Sequence, residues 1–413
     1  MKSYNEKIIP TSLLVWLSMP LIIMMITLSS IQGLSQFTKY YGYILGILFL
    51  VHYARHRLKV ATEVWFYLMW LLWSASGKYI AVDMDSYNEA FKDAANMGVV
   101  YFILSGIYAS KPRIGPAFLA VALGVLTMCL ISLYSGEMQS IRETDQFSYL
   151  RLKGITGNAN SYSFYMLYGF IFVAYLWEIK QYWWVRAVCV VASMCLIIMI
   201  SYTASRKIFV GFLLFVTMWW YLCYAKGMGR KPIKTLLMML IVTVGLFFAT
   251  NYIFNKTYLG VRLKANKNSD DVGGDALRKE LYIRSMQIFL QSPICGVGLD
   301  NFKAHNRYGF YSHSEYMEIL TDTGIVGFVL YFSFYFILFR RFGRLEKLTQ
   351  HHQIIYVVRL SKAFFLTLLF INFFIPQMGL RITWVFLASV SGYTWGVERS
   401  LLINRAMSKV QPQ

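Results

Sequence analysis

The chain has 413 residues, of which 57% are hydrophobic and only 15% charged; soluble domains carry about 25% charged residues, so a wholly water-solvated fold is excluded. Lysine and arginine outnumber aspartate and glutamate 40 to 20, but the basic residues gather in loops between apolar runs, which is a topology signal rather than a nucleic-acid surface. The five cysteines show neither metal-ligand spacing nor a disulfide framework, and no metal or cofactor is expected.

Apolar stretches of roughly 18–22 residues recur along the chain, long enough to cross a hydrocarbon core about 30 Å thick. They are apolar on every face rather than alternating, so they are helices and not barrel strands. The sequence predicts an all-α, polytopic integral membrane protein with about 12 transmembrane helices. In chain order the spans are 10–31, 38–53, 60–76, 96–110, 114–134, 161–178, 183–202, 206–224, 234–253, 322–340, 357–376 and 379–397. The first run carries no small-residue cleavage site and is read as a span. The chain thus divides into helices 1–9 over 1–253, a large extracytoplasmic loop over 254–321, and helices 10–12 with a cytoplasmic tail over 322–413.

Loop charge alternates. Arg55, Arg57 and Lys59, then Lys111 and Arg113, then Lys226, Arg230 and Lys231, then Arg340, Arg341, Arg344 and Lys347 mark one side as cytoplasmic. Asp83, Asp85, Glu89 and Asp93, then Glu137, Glu143 and Asp145, then Asp270, Asp271 and Asp275 mark the other as outward. Both termini come out cytoplasmic. The outward segment 254–321 is far longer than an ordinary connection. It contains a predicted helix near 275–291, with Leu277, Leu281, Ile283 and Ile288 at near-helical spacing, placed on the membrane surface or over a cavity.

Two constellations in the outward segments can carry chemistry. His313 lies in YSHSEYMEILTDTGIVG, followed by Glu315, Glu318 and Asp322. A lone loop histidine is either a solvated side chain or, as a neutral imidazole, a proton acceptor for a hydroxyl. The second constellation is cationic: Arg151, Arg206, Arg278, Arg284 and Arg381 all fall on the outward side. Each alone can snorkel to headgroups. Several at one depth call for an anionic partner, and guanidinium matches a pyrophosphate bidentately. Arg278 and Arg284 are six residues apart, so an ideal helix points them about 120° apart. Around Arg151, Gly154 permits close backbone approach while Asn158 and Asn160 supply donors and acceptors for sugar or phosphate. No P-loop, dinucleotide fingerprint or H-E-x-x-H motif occurs, so an ATP-driven machine, a redox enzyme and a zinc protease are not expected.

The stretch from Arg284 through SPICGVGLDNF to HSEYMEILTDTGIVG resembles the signature region of bacterial O-antigen ligases and the related O-antigen and capsule polymerases. That pattern runs from an arginine to P-x-x-G-x-G with a following Phe, then His-Asn, then a helix closing on acid-x-Gly-Ile-x-Gly. Pro293, Gly296, Gly298, Phe302, His313, Asp322, Gly324, Ile325 and Gly327 match it. RLKGITGNAN resembles the family's R-x-x-G-x-x-x-N-P-N element, and Ser205–Arg206 its Ser-Arg at a span end. Ser314 stands where the family has Asn, and Ala159 where it has Pro. The resemblance implies a metal-independent glycosyltransferase of the bacterial cytoplasmic (inner) membrane, working on its extracytoplasmic face. Its donor would be an undecaprenyl-pyrophosphate-linked glycan, and its acceptor a lipid A–core sugar (ligase) or a second glycan (polymerase), with no nucleic acid involved. Arg151, Arg206 and Arg284, with Arg278 and Arg381, would hold the pyrophosphate. His313 would activate or orient the acceptor hydroxyl, supported by Gly296, Gly298, Glu315, Glu318 and Asp322. A twelve-span transporter or flippase is the rival; it predicts charges within the spans and related halves, whereas here the charges concentrate in outer loops.

Overall fold

Lipid offers no hydrogen-bond partners, so each apolar run must close its own backbone bonds, and every regular element among the described residues is helical. The computed structural model describes residues 11–28, 31, 33–56, 60–136, 151–225 and 275–410. Twelve α-helices occur among them: α1 (Thr11–Thr27), α2 (Ser35–His56), α3 (Thr62–Ala75), α4 (Met84–Ser110), α5 (Gly115–Tyr134), α6 (Ala159–Ile179), α7 (Trp183–Thr203), α8 (Arg206–Cys223), α9 (Asp275–Gln291), α10 (Glu315–Leu348), α11 (His352–Ile371) and α12 (Arg381–Val410). Six of these, α5–α8, α10 and α11, are long and apolar enough to cross a membrane, and α1 is a shorter apolar helix. Eleven of the twelve coincide with predicted spans, and α9 is the predicted loop helix. The predicted span 234–253 and the outer segment 137–150 lie outside the described residues.

Polar residues at helix ends shift several boundaries. α4 starts well before the predicted 96, where the Asp83 side chain caps it by accepting from the Ser86 amide at 3.0 Å. α9 buries Leu281, Ser285 and Ile288. Ile283 is on the exposed side, and its expected place is taken by Ser285, whose hydroxyl pairs with that of Thr321 at 2.5 Å.

The bundle is tied by close backbone approach and aromatic packing. Gly392 and Gly396 of α12 lie on α4: a Cβ at Gly392 would meet the Ser105 carbonyl oxygen at 2.2 Å, and one at Gly396 that of Ala109 at 2.5 Å. Small residues at this spacing let membrane helices meet closely. Beside them Tyr67, Tyr101, Tyr331, Phe334 and Trp384 interlock, with the Tyr67 and Trp384 rings 4.9 Å apart.

Charge is also buried where the sequence places it in a loop. Arg341 is 1% exposed, because α10 runs on to Leu348 and carries it inside the bundle. Its guanidinium is paired with the fully buried Glu63 of α3, including Nη2 to Oε2 at 2.7 Å, and its Nε with Glu398 of α12 at 3.1 Å. The Ser391 hydroxyl donates to Glu63 as well.

Candidate active site

The helices run alternately, so one end of the bundle collects the turns before α4, α6, α8, α10 and α12. The P-x-x-G-x-G segment closes that end by docking on a break in α10. Gly324 has φ +65°, ψ −172° inside the helix, which splits it into an outer arm (315–323) and a long inner arm. The segment fills the break: Val297 N–H donates to the Thr321 carbonyl at 3.1 Å, Gly298 N–H to that of Asp322 at 2.9 Å, and Ile325 N–H to that of Pro293 at 2.8 Å. A Cβ at Gly296 would sit 2.4 Å from the Asp322 backbone and one at Gly324 2.1 Å from the Ile294 oxygen, so only glycine fits at either place. Trp73 Nε1 donates to the Thr323 carbonyl at 2.9 Å, and the Asn301 side chain exchanges two bonds with the Asp83 backbone. Gly298 meets Gly77 and Ala81, and Gly154 lies against the Tyr162 ring.

Of the cavities at this end, two bring the expected residues together. The first, about 530 Å³, is lined by Arg151, Arg206, Lys207, Arg278 and Lys279, with Tyr282, Val210, Phe370 and Phe374 as its less polar wall. Among the described residues its lining contains no acid. Arg151 is fixed by Nε donating to the Thr203 carbonyl at 2.8 Å and Nη2 donating to Asn160 Oδ1 at 2.9 Å. Ser205 donates to the same Asn160 oxygen at 3.0 Å. Ala204, in the left-handed region at φ +50°, makes the elbow between α7 and α8, which puts Arg206 and Lys207 at the start of α8. Cations and a helix N-terminus thereby face one cavity, an arrangement suited to an anion.

The second cavity, about 350 Å³, is lined on its acidic side by Glu89, Asp93, Asp300, Glu315, Glu318 and Asp322, and it contains His313. The cavities share Asn160, Lys207 and Phe374 as common wall, and the Lys207 ammonium donates to the Phe374 carbonyl at 2.6 Å. Asn158, which also lines this cavity, caps α6 by accepting from the amides of Asn160 and Ser161; an alanine follows it without loss of the cap.

His313 sits immediately before α10 in the left-handed region, φ +62°, its ring 4.3 Å from that of Tyr311. Ser314 donates to the Asn372 carbonyl at 3.3 Å, and the Glu315 amide donates to the same oxygen at 2.8 Å, which holds the turn. Burial, with the charges of Lys207 and Arg278, pushes the His313 imidazole down to about 4, so the ring is neutral near pH 7. Two of the carboxylates in its cavity are fully engaged. Glu315 accepts from the Tyr331 hydroxyl and from the amides of Gln377 and Met378, and Asp322 from the amides of Asp300 and Phe302.

The family model described as O-antigen ligase matches residues 189–332. Over those residues the chain is similar to the O-antigen ligase family. No curated protein matches the chain. The matched region takes in most of α7, then α8, α9, the P-x-x-G-x-G segment, His313 and the outer arm of α10. It therefore contains Arg206, Lys207 and Arg278 of the cationic cavity and the Glu315, Glu318 and Asp322 carboxylates, whereas Arg151 and Asn160 reach the site from outside it. The match identifies a membrane enzyme of the O-antigen ligase or polymerase type.

Not every expected arginine converges on the cationic cavity. Arg284 is exposed on the far side of α9, where it donates to the Gln287 side chain and the His305 carbonyl, each at 3.3 Å. Arg381 starts α12 away from the cationic cavity, in a pocket whose Asp93, Ser161, Met378 and Leu380 also wall the acidic one. Lys279 and Tyr282 line the cationic cavity without having been assigned to it from sequence. For Tyr282 and Lys279 the usable signal was their register with Arg278 on α9.

Proposed function

We propose that this protein is a membrane glycosyltransferase that moves a glycan from undecaprenyl pyrophosphate to an acceptor hydroxyl, acting as an O-antigen ligase on lipid A–core. One observation carries the reading: a cavity lined by five cations shares Asn160, Lys207 and Phe374 as a wall with a cavity holding a neutral imidazole among carboxylates. The pyrophosphate meets Arg151, Arg206, Lys207 and Arg278, while the isoprenoid leaves past Val210 and Phe370 toward lipid. These charges stabilise the departing diphosphate, the group on which negative charge accumulates during transfer. The glycan's anomeric carbon lies at the shared wall, and the acceptor hydroxyl approaches from the acidic side, oriented by His313. A single displacement there inverts the anomeric centre. The ligase assignment is supported by the description of the matched family model.

The acidic loop residues Asp83, Asp85, Glu89 and Asp93 lie toward the same end as the site, with Lys111, Arg113, Arg344 and Lys347 toward the other. By the positive-inside rule the site faces outward and the termini are cytoplasmic, and the similarity to O-antigen ligases supports the bacterial inner membrane as its place. The decisive experiment is reconstitution of the purified protein with lipid-linked oligosaccharide and each acceptor in turn. Transfer to lipid A–core supports the ligase, transfer to a second lipid-linked glycan makes it a polymerase, and donor translocation without transfer removes the enzyme.

A further inference from the structure

We infer that Glu318 takes the proton from the acceptor hydroxyl. The assignment rests on the glycosyl-transfer reading above and deepens it. Three buried carboxylates line the inner cavity, and their hydrogen bonds separate them. Both oxygens of Glu315 are occupied, as are both of Asp322. Glu318 is 8% exposed, and the bonds made to it, from the Ser312 amide at 2.8 Å and from the Ser312 hydroxyl, both fall on Oε2. Oε1 has no partner among the described residues and borders the cavity. Oε1 is not among the sealed, unpartnered polar atoms of the bundle, so a molecule in the cavity can reach it, and a ligand hydroxyl can donate to this free acceptor.

The field around His313 leads to the same division of labour. Lys207 and Arg278 oppose a proton arriving on its ring, so a neutral His313 serves as a hydrogen-bonding group between diphosphate and acceptor. Glu318 stands among Asp300, Glu315 and Asp322, whose charges favour a proton on it; the Lys303 ammonium also reaches it but is paired with Asp300. In the step itself the acceptor O–H bond breaks, its proton passes to Glu318 Oε1, and its oxygen bonds the anomeric carbon. The C–O bond to the diphosphate breaks with its electron pair on the departing oxygen, and Glu318 then returns the proton to solvent or to that diphosphate.

The test compares wild type with Glu318→Gln and Glu318→Ala in liposomes, measuring donor affinity and transfer separately. Glu318→Gln should lose at least about 100-fold in kcat, the usual contribution of a general base, with donor affinity unchanged. Added formate should restore transfer to Glu318→Ala. Glu318→Gln at near wild-type rate overturns the assignment alone, as does loss of donor binding in that variant, which would make the residue structural. A wild type that binds donor yet transfers to neither acceptor overturns the glycosyl-transfer reading, and the assignment with it.

Discussion

Arg151 Nη2 donates to Asn160 Oδ1 at 2.9 Å, and Ser205 donates to that same oxygen at 3.0 Å. One amide oxygen thereby registers the turn before α6 against the elbow before α8, two places that supply cations to one cavity. Asn160→Ala releases both. Hydrogen bonds to charged groups contribute about 1.5–3 kcal/mol, so affinity for a polyprenyl diphosphate should fall roughly tenfold or more by titration in nanodiscs. Unchanged affinity would show that Arg151 does not need the clamp.

Arg278 and Arg284 separate cleanly. Arg278→Ala and Arg206→Ala should each weaken donor binding by roughly 10- to 100-fold, and Arg206→Lys should recover only part, because the planar fork is lost. Arg284→Ala, on the exposed side of α9, should change affinity by less than about twofold, as exposed substitutions do. The reverse ranking would move the diphosphate to the other face of that helix.

The titration of His313 carries a sign. Burial, Lys207 and Arg278 all disfavour the imidazolium, holding the group near 4, so the free enzyme keeps a neutral ring from about pH 5 upward. A bound diphosphate offsets those cations and should raise the value. NMR of labelled histidine, assigned with His313→Gln, should show a midpoint near 4 without ligand and a higher one with it. A midpoint near 6.5 in both states would place the ring away from the cations. His313→Ala should abolish transfer with insertion intact.

Glu63, Arg341 and Glu398 test the bundle and not the chemistry. Breaking a buried pair by removing one partner costs about 3–5 kcal/mol, so Glu63→Ala should lower the thermal midpoint in detergent markedly. A midpoint unchanged from wild type would mean that water reaches Arg341.

What the sequence reveals depends on how far apart the cooperating residues lie. Span positions follow from local apolar length, and α9 from its own periodicity, which is why both are legible. Arg341 reads as a loop charge because its partner Glu63 is 278 positions away and nothing local announces the pairing. The choice between Arg278 and Arg284 is set by which side of α9 faces the elbow before α8, a tertiary fact. Arg381 shares the outward level of the other arginines but borders the acidic cavity rather than the cationic one. The glycines of P-x-x-G-x-G were visible as a motif; their reason, backbone laid against the broken turn at Gly324, was not.

The indole of Trp73 bonds the Thr323 carbonyl beside that broken turn, so the bend in α10 is satisfied without any substrate. The carboxylate-bearing arm is consequently set in place before a sugar arrives, and turnover has no need to fold it. The rate should then be governed by the arrival and departure of the two greasy reactants, and slower, more viscous bilayers should retard it more than any stiffening of the arm itself.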